Sequence, residues 1–274
     1  MPVKPVTISG SKLHMIKSKY TGKRFCITIG LPYEYYDKPS KKWPVVYLTD
    51  GNFYFGMVTG MIRSMALCES ITDAIVVGIG YPENKKYKSP WEEFHRRSFD
   101  LTPIPDKSVE KENSSLTKRN TITGGADKFI KFIQNELLPF VNERYRTAAR
   151  KRVLVGHSFG GLFAAYALLE NPRLFTHYLI CSPSFWYYDQ YMLKREENFS
   201  KRHKRLPANV FLSVGEMEEH TGSDMASNTL RFTALLKSRN YIGLNVIQKI
   251  FNGENHCEVI TPSYQAGLKW ALKK

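Results

Sequence analysis

Short apolar runs rich in valine and isoleucine recur along the chain, and they restrict its possible folds more than any other feature. The runs are 24–29, 44–49, 74–80, 152–155, 178–181, 209–214 and 244–250. The later runs lack polar alternation, which is typical of parallel strands buried on both faces. The segments 11–17 and 23–30 are close enough to predict an antiparallel hairpin at one edge of the sheet.

Helical periodicity fills several of the gaps between these runs. The predicted helices are 126–145, 159–170, 224–239 with Ser223 as N-cap, and 261–272 with Thr261 as N-cap and Pro262 at the first helical position. Strands that alternate with helices predict an α/β fold with a mainly parallel sheet and helices on both faces. The 274 residues fit a single domain over 1–274. The polar stretch 101–123 predicts a long mobile loop close to the functional site.

The formal net charge of +15 raises the question of an anionic partner. Nucleic acid is one such partner, but no helix-turn-helix, zinc-finger or aromatic-basic signature accompanies the charge. The four cysteines lie far apart and lack the spacing of a zinc site, so we expect neither a metal nor a cofactor. Residues 1–5 begin no apolar leader, and no run of about 18 apolar residues occurs. We therefore expect a cytoplasmic protein with no membrane or nucleic-acid partner.

The strongest chemical signal is a serine between two glycines, in the sequence Gly156-His157-Ser158-Phe159-Gly160. An apolar strand leads into this G-x-S-x-G pattern and an apolar helix leads out of it, which is the context of a hydrolase nucleophile. The flanking glycines permit a strained turn that exposes the serine hydroxyl. The helix N-terminus that follows favours developing negative charge. The pattern predicts that Ser158 is a nucleophile, against the alternative of a tight turn with an incidental serine.

A serine hydroxyl needs a neighbouring base, and hydrolases of this type place their acid and then their histidine after the serine. His256 lies between the last predicted strand and the last predicted helix, where that base belongs. His220 also follows the serine, but in a polar stretch typical of an exposed loop. Glu216, Glu218 and Glu219 follow the strand at 209–214, so three carboxylates compete for the role of the acid. Glu218 and Glu216 are the preferred candidates, and a serine–histidine dyad stays open.

The oxyanion hole requires two N–H donors. The backbone N–H of Phe159, the residue after the nucleophile, is the expected first donor. The strand at 44–49 runs into Asp50-Gly51-Asn52-Phe53, and we expect Asn52 to supply the second donor with Phe53 as its neighbour.

Two basic clusters follow predicted strands. The first comprises Lys85, Lys86, Lys88, Arg96 and Arg97, and the second comprises Lys194, Arg195, Lys201, Arg202, Lys204 and Arg205. Aromatic residues that include Trp186 adjoin the second cluster. Segments that leave the carboxyl ends of parallel strands surround the ligand in such folds. We therefore expect Arg97 and Trp186 to bind a small anionic aromatic ester. The alternative is that both clusters are solvated faces of covering helices.

Several motifs together resemble a known family. They are Val46-Tyr-Leu-Thr-Asp-Gly-Asn52, Phe99-Asp-Leu-Thr-Pro103, Gly124-Gly-Ala-Asp127, Gly156-His-Ser-Phe-Gly-Gly161, Ser182-Pro-Ser-Phe-Trp186 and Gly253-Glu-Asn-His256. They resemble the esterase D-like family of α/β-hydrolases over roughly residues 10–272, and are most similar to its siderophore esterases. The resemblance implies that Ser158 and His256 form the catalytic pair. It also implies a ferric catecholate siderophore trilactone of the enterobactin or bacillibactin type as substrate, with release of iron inside the cell.

The resemblance leaves alternatives. A general carboxylesterase or thioesterase acting on acetyl, feruloyl or S-acyl esters carries the same motifs, because relatives cleave other esters. A non-catalytic binding protein can also retain the hydrolase fold. The glutamate-rich segment that contains Glu216 and Glu218 departs from the clear aspartate of many α/β-hydrolases, which leaves the acid open.

Overall fold

One mixed sheet of eight strands organises the chain. The computed structural model describes residues 6–82, 91–221 and 224–274, and the side chains of 91–93, 220 and 221 lie outside that description. Within these ranges the strand order is β1-β2-β4-β3-β5-β6-β7-β8. The strands are β1 Ser11–Lys17, β2 Arg24–Gly30, β3 Trp43–Leu48, β4 Ile75–Gly80, β5 Thr147–Ser158, β6 His177–Pro183, β7 Arg205–Gly215 and β8 Ile242–Phe251.

The direction of the strands matches the prediction from the apolar runs. Strand β2 pairs antiparallel with both β1 and β4, so the predicted hairpin forms the N-terminal edge. All further pairs, from β4 through β3, β5, β6 and β7 to β8, are parallel. Every residue of β3 and β4 is buried, whereas β8 alternates between half-buried and exposed residues because it lies at the other edge. The predicted α/β fold is confirmed.

Helices cover both faces of this sheet. They are α1 Gly51–Leu67, α2 Trp91–Asp100, α3 Lys107–Thr117, α4 Ala126–Phe132, a π-helical turn Ile133–Leu137, α5 Leu138–Arg144, α6 Phe159–Glu170, α7 Tyr187–Arg202, α8 Met225–Ser238 and α9 Ile260–Ala271. Helices α1 and α9 pack on one face through residues such as Val58 and Leu268. Helices α4 to α8 pack on the other face through residues such as Phe163 and Phe232. Among the described residues, no helix is long and apolar enough to span a membrane.

Two predicted helices differ in detail from the structure. The segment 126–145 is interrupted by the π-helical turn, which ends two residues before Pro139. Proline lacks the N–H that a continuous helix needs at this point. The last helix begins at Ile260 with no side-chain cap, so Thr261 is not its N-cap. The Asn255 side chain starts the turn earlier by accepting hydrogen bonds from the N–H groups of Cys257 and Glu258. The predicted cap Ser223 lies outside the described residues.

The prediction of an irregular loop over 101–123 is wrong for its middle, because α3 occupies Lys107–Thr117. The Asp106 carboxylate caps this helix by accepting hydrogen bonds from the N–H groups of Ser108 and Val109, at 3.0 and 3.3 Å. Glu110 in turn accepts hydrogen bonds from the N–H and the hydroxyl of Thr123. Polar side chains thus accept hydrogen bonds from backbone N–H groups and anchor the helix. A count of polar residues in the sequence does not reveal these hydrogen bonds.

Replacing Asp106 with Ala should lower the free energy of unfolding by about 1 kcal/mol, because two N–H groups of α3 lose their acceptor. Urea denaturation followed by circular dichroism measures this change. Asp106→Asn is the matched control, since an asparagine side chain still accepts both hydrogen bonds. Equal stability of the alanine variant and the unsubstituted protein would contradict the capping role.

Candidate active site

The candidate nucleophile lies at the junction of β5 and α6. Ser158 has φ 60° and ψ −121°, a conformation rarely adopted by residues other than glycine. A Cβ at Gly156 would lie 2.1 Å from the carbonyl oxygen of Gly160, and a Cβ at Gly160 would lie 2.3 Å from Thr49 Oγ1. Both glycines are therefore required for the strand and the helix to approach this closely. The Ser158 hydroxyl lies 3.4 Å from Ser184 Oγ at the end of β6.

The candidate base and acid are joined by a short hydrogen bond. His256 Nδ1 lies 2.7 Å from Glu218 Oε2, and the histidine donates because an ionised carboxylate only accepts. Glu218 is fully buried and also accepts hydrogen bonds from the Ser182 hydroxyl at 2.6 Å and from the Gly215 N–H at 2.7 Å. This arrangement fixes the tautomer and the orientation of the His256 ring, which is the task of a triad acid.

The other carboxylates of this segment have different partners. Glu216 is exposed and accepts a hydrogen bond from the backbone N–H of Gly253. Glu219 contacts the N–H and the hydroxyl of Ser227. The expectation for Glu216 is thus not met, because the three-residue step from Gly215 to Glu218, rather than the shorter step to Glu216, turns the carboxylate back under His256. The side chain of the alternative base His220 lies outside the described residues.

A small cavity opens beside the serine. Its volume is 180 Å³, and it is lined by Asp50, Phe53, Tyr54, Phe94, Arg97, His157, Ser158, His256, Cys257 and Ile260. Pockets that enclose a whole drug-sized ligand measure about 300–1,000 Å³. This cavity therefore accommodates part of a large ester or the whole of a small one. Its aromatic wall suits a flat apolar group.

Arg97 lines the cavity but is already neutralised. Its Nε and one terminal nitrogen lie 2.6 and 2.9 Å from the two carboxylate oxygens of Asp50, and the guanidinium also donates to the carbonyl of His157. Burial disfavours the charge of Arg97, yet the Asp50 carboxylate more than compensates and raises the arginine pKa. The edge of the guanidinium formed by Nε and Nη2 thus holds Asp50 and the turn before α1 in place. Binding of an anionic substrate by Arg97 stays a prediction.

The two residues predicted to supply the oxyanion donors, Phe159 and Asn52, differ in their surroundings. Phe159 is the first residue of α6, and N–H groups in the first turn of a helix lack intrahelical acceptors. Asn52 faces away from the serine, since its amide exchanges two hydrogen bonds with the backbone of Tyr81 at 2.6 and 2.8 Å. It also lines a separate cavity beside β1 and β2. The end of β4 thus takes both hydrogen-bonding groups of the Asn52 side chain. A backbone N–H at Asn52 as the second oxyanion donor stays a prediction.

Trp186 lies against the ring of Phe159 and is not among the residues that line the cavity, so its role in substrate binding stays a prediction. It is half-buried before α7, and its ring centroid is 6.1 Å from that of Phe159. Trp186 thus supports the residue that follows the nucleophile.

The second basic cluster does not surround the serine as expected. Helix α7 runs away from the carboxyl edge of the sheet, and Lys201, Arg202, Lys204 and Arg205 lie where α7 ends and β7 begins. This is the amino edge of the parallel strands, opposite Ser158. The first two residues of this cluster, Lys194 and Arg195, lie within α7 and form ion pairs with Asp189 and Glu170, respectively. Lys85, Lys86 and Lys88 lie outside the described residues.

Sequence reasoning missed a second histidine at the site. His157 is buried, and its ring centroid lies 4.4 Å from that of His256 with 37° between the planes. Burial holds the pKa of His157 well below its usual value, and the nearby His256 and Arg97 lower it further. A neutral ring therefore packs against the candidate base. The variable position of the G-x-S-x-G pattern carries no signal for such a contact.

Glu218→Gln should lower kcat/KM for an ester substrate by about 10⁴-fold, the size of effect seen when a triad carboxylate becomes an amide. Glu216→Gln is the matched control, and we expect its kcat/KM to stay within about twofold because its partner is a backbone N–H remote from the proton transfer. Steady-state kinetics on both variants measure the difference. Equal losses, or full activity of Glu218→Gln, would contradict the assignment.

His157→Ala should lower kcat by about fivefold, because the ring contact that orients His256 is worth about 1 kcal/mol. His157→Phe keeps a ring at this position and should retain most of the activity. An alanine variant with unchanged kcat, in protein that melts at the normal temperature, would show that His157 does not orient the base.

Comparison with known proteins agrees with this geometry. Residues 18–258 match the family described as "Putative esterase". The ferri-bacillibactin esterase BesA of Bacillus subtilis is 29% identical over 271 residues, which cover 97% of this chain and 91% of the relative. The siderophore triacetylfusarinine C esterase of Aspergillus fumigatus is 29% identical over 292 residues, with coverage of 96% and 94%. The solved structure of siderophore hydrolase EstB from Aspergillus nidulans matches with a TM-score of 0.84 and 26% identity, with coverage of 99% and 98%. The chain belongs to the "Putative esterase" family and has the α/β-hydrolase fold.

Proposed function

We propose that this protein is a serine esterase that hydrolyses ester bonds of a ferric siderophore, with Ser158, His256 and Glu218 as its catalytic residues. The observation that carries the proposal is the 2.7 Å hydrogen bond between His256 and the buried Glu218, beside a cavity that Ser158 and His256 share. A histidine oriented in this way is ready to accept a proton from the serine.

In the first half of the reaction, Ser158 Oγ attacks the ester carbonyl carbon while its proton passes to His256 Nε2. The charge that develops on the carbonyl oxygen lies near the Phe159 N–H and the N-terminus of α6. The ester C–O bond then breaks, the leaving alkoxide takes the proton from His256, and an acyl-serine remains. Glu218 stabilises the transient imidazolium without taking its proton.

In the second half, water replaces the alcohol. His256 removes a proton from the water as its oxygen attacks the acyl carbon, and the same proton then returns to Ser158 Oγ as the acyl group leaves as a carboxylic acid. No redox step or cofactor takes part, and any iron is cargo of the substrate.

The size and lining of the cavity support a large ester of which one arm enters. At 180 Å³ the cavity holds one acyl group, and Phe53, Tyr54 and Phe94 offer faces for an aromatic ring. The relatives named above act on different siderophores, so their shared feature is the siderophore ester rather than one molecule. We propose a catecholate trilactone as the substrate and the cytoplasm as the place of iron release.

A second candidate is a general carboxylesterase. The same small cavity favours it, because a short acyl ester fits entirely inside. Selectivity between a large and a small ester distinguishes the two functions, and lack of any turnover would leave the fold as a binding protein.

A fluorophosphonate probe should label the protein at Ser158, and Ser158→Ala should abolish labelling and ester turnover. We expect kcat/KM for a ferric catecholate trilactone to exceed that for p-nitrophenyl acetate by at least about 100-fold, because remote contacts of the larger substrate contribute to the transition state. Liquid chromatography of the cleaved lactone measures the first value and absorbance the second. Unlabelled folded protein would exclude the mechanism, and a preference for the small ester would favour the general carboxylesterase.

A further inference from the structure

Nine basic residues of the described part of the chain lie on the edge of the sheet opposite the candidate active site. No Asp or Glu occurs in 144–169, 171–188, 198–215, 225–253 or 259–274. These segments contain the entries to β5, β6, β7 and β8 and the ends of α8 and α9. Because parallel strands all begin at one edge, the basic residues at these entries come together there.

We call this surface the basic edge. Its members are Arg150, Lys151, Arg173, Lys201, Arg202, Lys204, Arg205, Lys237 and Lys273. Direct contacts join its segments: Lys151 Nζ donates to the carbonyl of Lys273, and the Ile242 N–H donates to the carbonyl of Lys204. All members are exposed except Lys151, which is half-buried.

The charges of the basic edge are not neutralised by neighbouring carboxylates. None of the ion pairs formed within residues 6–82, 91–221 and 224–274 includes one of its side chains. Burial, together with a smaller effect of the Lys151 charge, lowers the pKa of His177, at the start of β6, to about 4. Helix dipoles explain basic residues in the last turns of α7 and α8. They do not explain Arg173 or Lys204, which precede strands, or Arg150 and Arg205, which lie in the first residues of β5 and β7.

Exposed apolar side chains lie along the same edge. Ile242, the first residue of β8, pairs with Arg205 and is 56% exposed. Leu67 at the end of α1 is 76% exposed, and the loop between β2 and β3 exposes Tyr33 and Tyr36. Phosphate groups attract lysine and arginine in either lipid or nucleic acid, but exposed aliphatic side chains gain free energy only where a headgroup region adjoins hydrocarbon.

We infer that the basic edge docks the protein on a bilayer that contains anionic phospholipids. Each lysine or arginine close to such a surface contributes to binding, and Ile242 and Leu67 enter the headgroup region. This revises the expectation of no membrane partner, which was drawn from the lack of a spanning segment. Arg150 and Ser158 lie about 26 Å apart along β5, at 3.3 Å per residue. The candidate active site therefore faces the aqueous phase when the basic edge is docked.

Vesicle sedimentation tests the inference with two triple variants of equal charge. The first triple variant removes three charges from the basic edge and carries Lys201→Gln, Lys204→Gln and Lys237→Gln. The second triple variant removes three exposed charges elsewhere and carries Lys17→Gln, Lys19→Gln and Lys111→Gln. The unsubstituted protein should bind phosphatidylcholine vesicles that contain phosphatidylglycerol, but not phosphatidylcholine alone. The first triple should weaken this binding by about 100-fold and the second by about threefold or less. Equal losses, or no binding to the anionic vesicles at low salt, would overturn the proposal.

Ile242→Ser separates a membrane from a nucleic acid as the partner. The substitution leaves the charge unchanged and should weaken vesicle binding several-fold, with no effect on the mobility shift of duplex DNA. The basic edge would be assigned to nucleic acid if Ile242→Ser left vesicle binding unaffected and the first triple variant abolished duplex binding. Melting temperature and ester turnover should stay normal in all three variants, because none of these residues lies at the candidate active site. Docking is thus tested independently of ester hydrolysis.

Discussion

Six neighbouring strands run in the same direction, and their shared polarity determines where the chemistry of this protein lies. Turns that leave β3, β5, β6, β7 and β8 supply Asp50, Ser158, Ser184, Glu218 and His256 in that order. These residues are far apart in the sequence, yet the parallel register brings every turn to one edge. An antiparallel arrangement would send alternate turns to opposite edges and separate the serine from the histidine.

The buried carboxylate of Glu218 shows how this edge supports an ionised group. Removing a carboxylate from water is unfavourable unless hydrogen bonds replace its hydration. Glu218 accepts hydrogen bonds from Ser182, Gly215 and His256, which lie on or after three neighbouring strands. A Cβ at Gly215 would lie 2.2 Å from the carbonyl oxygen of Glu254, so only glycine lets the turn after β7 approach the loop that carries His256. The orientation of the base therefore depends on contacts between three separate segments.

Sequence patterns were sufficient to predict the α/β fold, the strands, and the positions of Ser158 and His256 at strand ends. These features depend on local information: apolar runs, helical periodicity and the glycines beside the serine. From the sequence, the candidates for the acid could only be narrowed to a group of glutamates that includes Glu218. The choice among them depends on how a short 3₁₀ helix, Glu216–Thr221, turns under the histidine. Asn52, Arg97 and His157 could not be interpreted from the sequence. Their hydrogen-bonding and ring partners, Tyr81, Asp50 and His256, are set by tertiary packing rather than by spacing.

The ion pair between Arg97 and Asp50 changes how substrate recognition must be understood. An unpaired arginine in the cavity would attract an anion directly, but a bidentate pair presents little net charge. Its guanidinium also lies 5.4 Å from the centroid of the Phe159 ring, so the pair supports the residue whose N–H is the candidate oxyanion donor. The unpaired charges of the basic edge lie at the far ends of the strands. We therefore expect shape and aromatic contact to dominate binding of an acyl group within the described wall of the cavity. The exposed charges of the basic edge lie on a different surface.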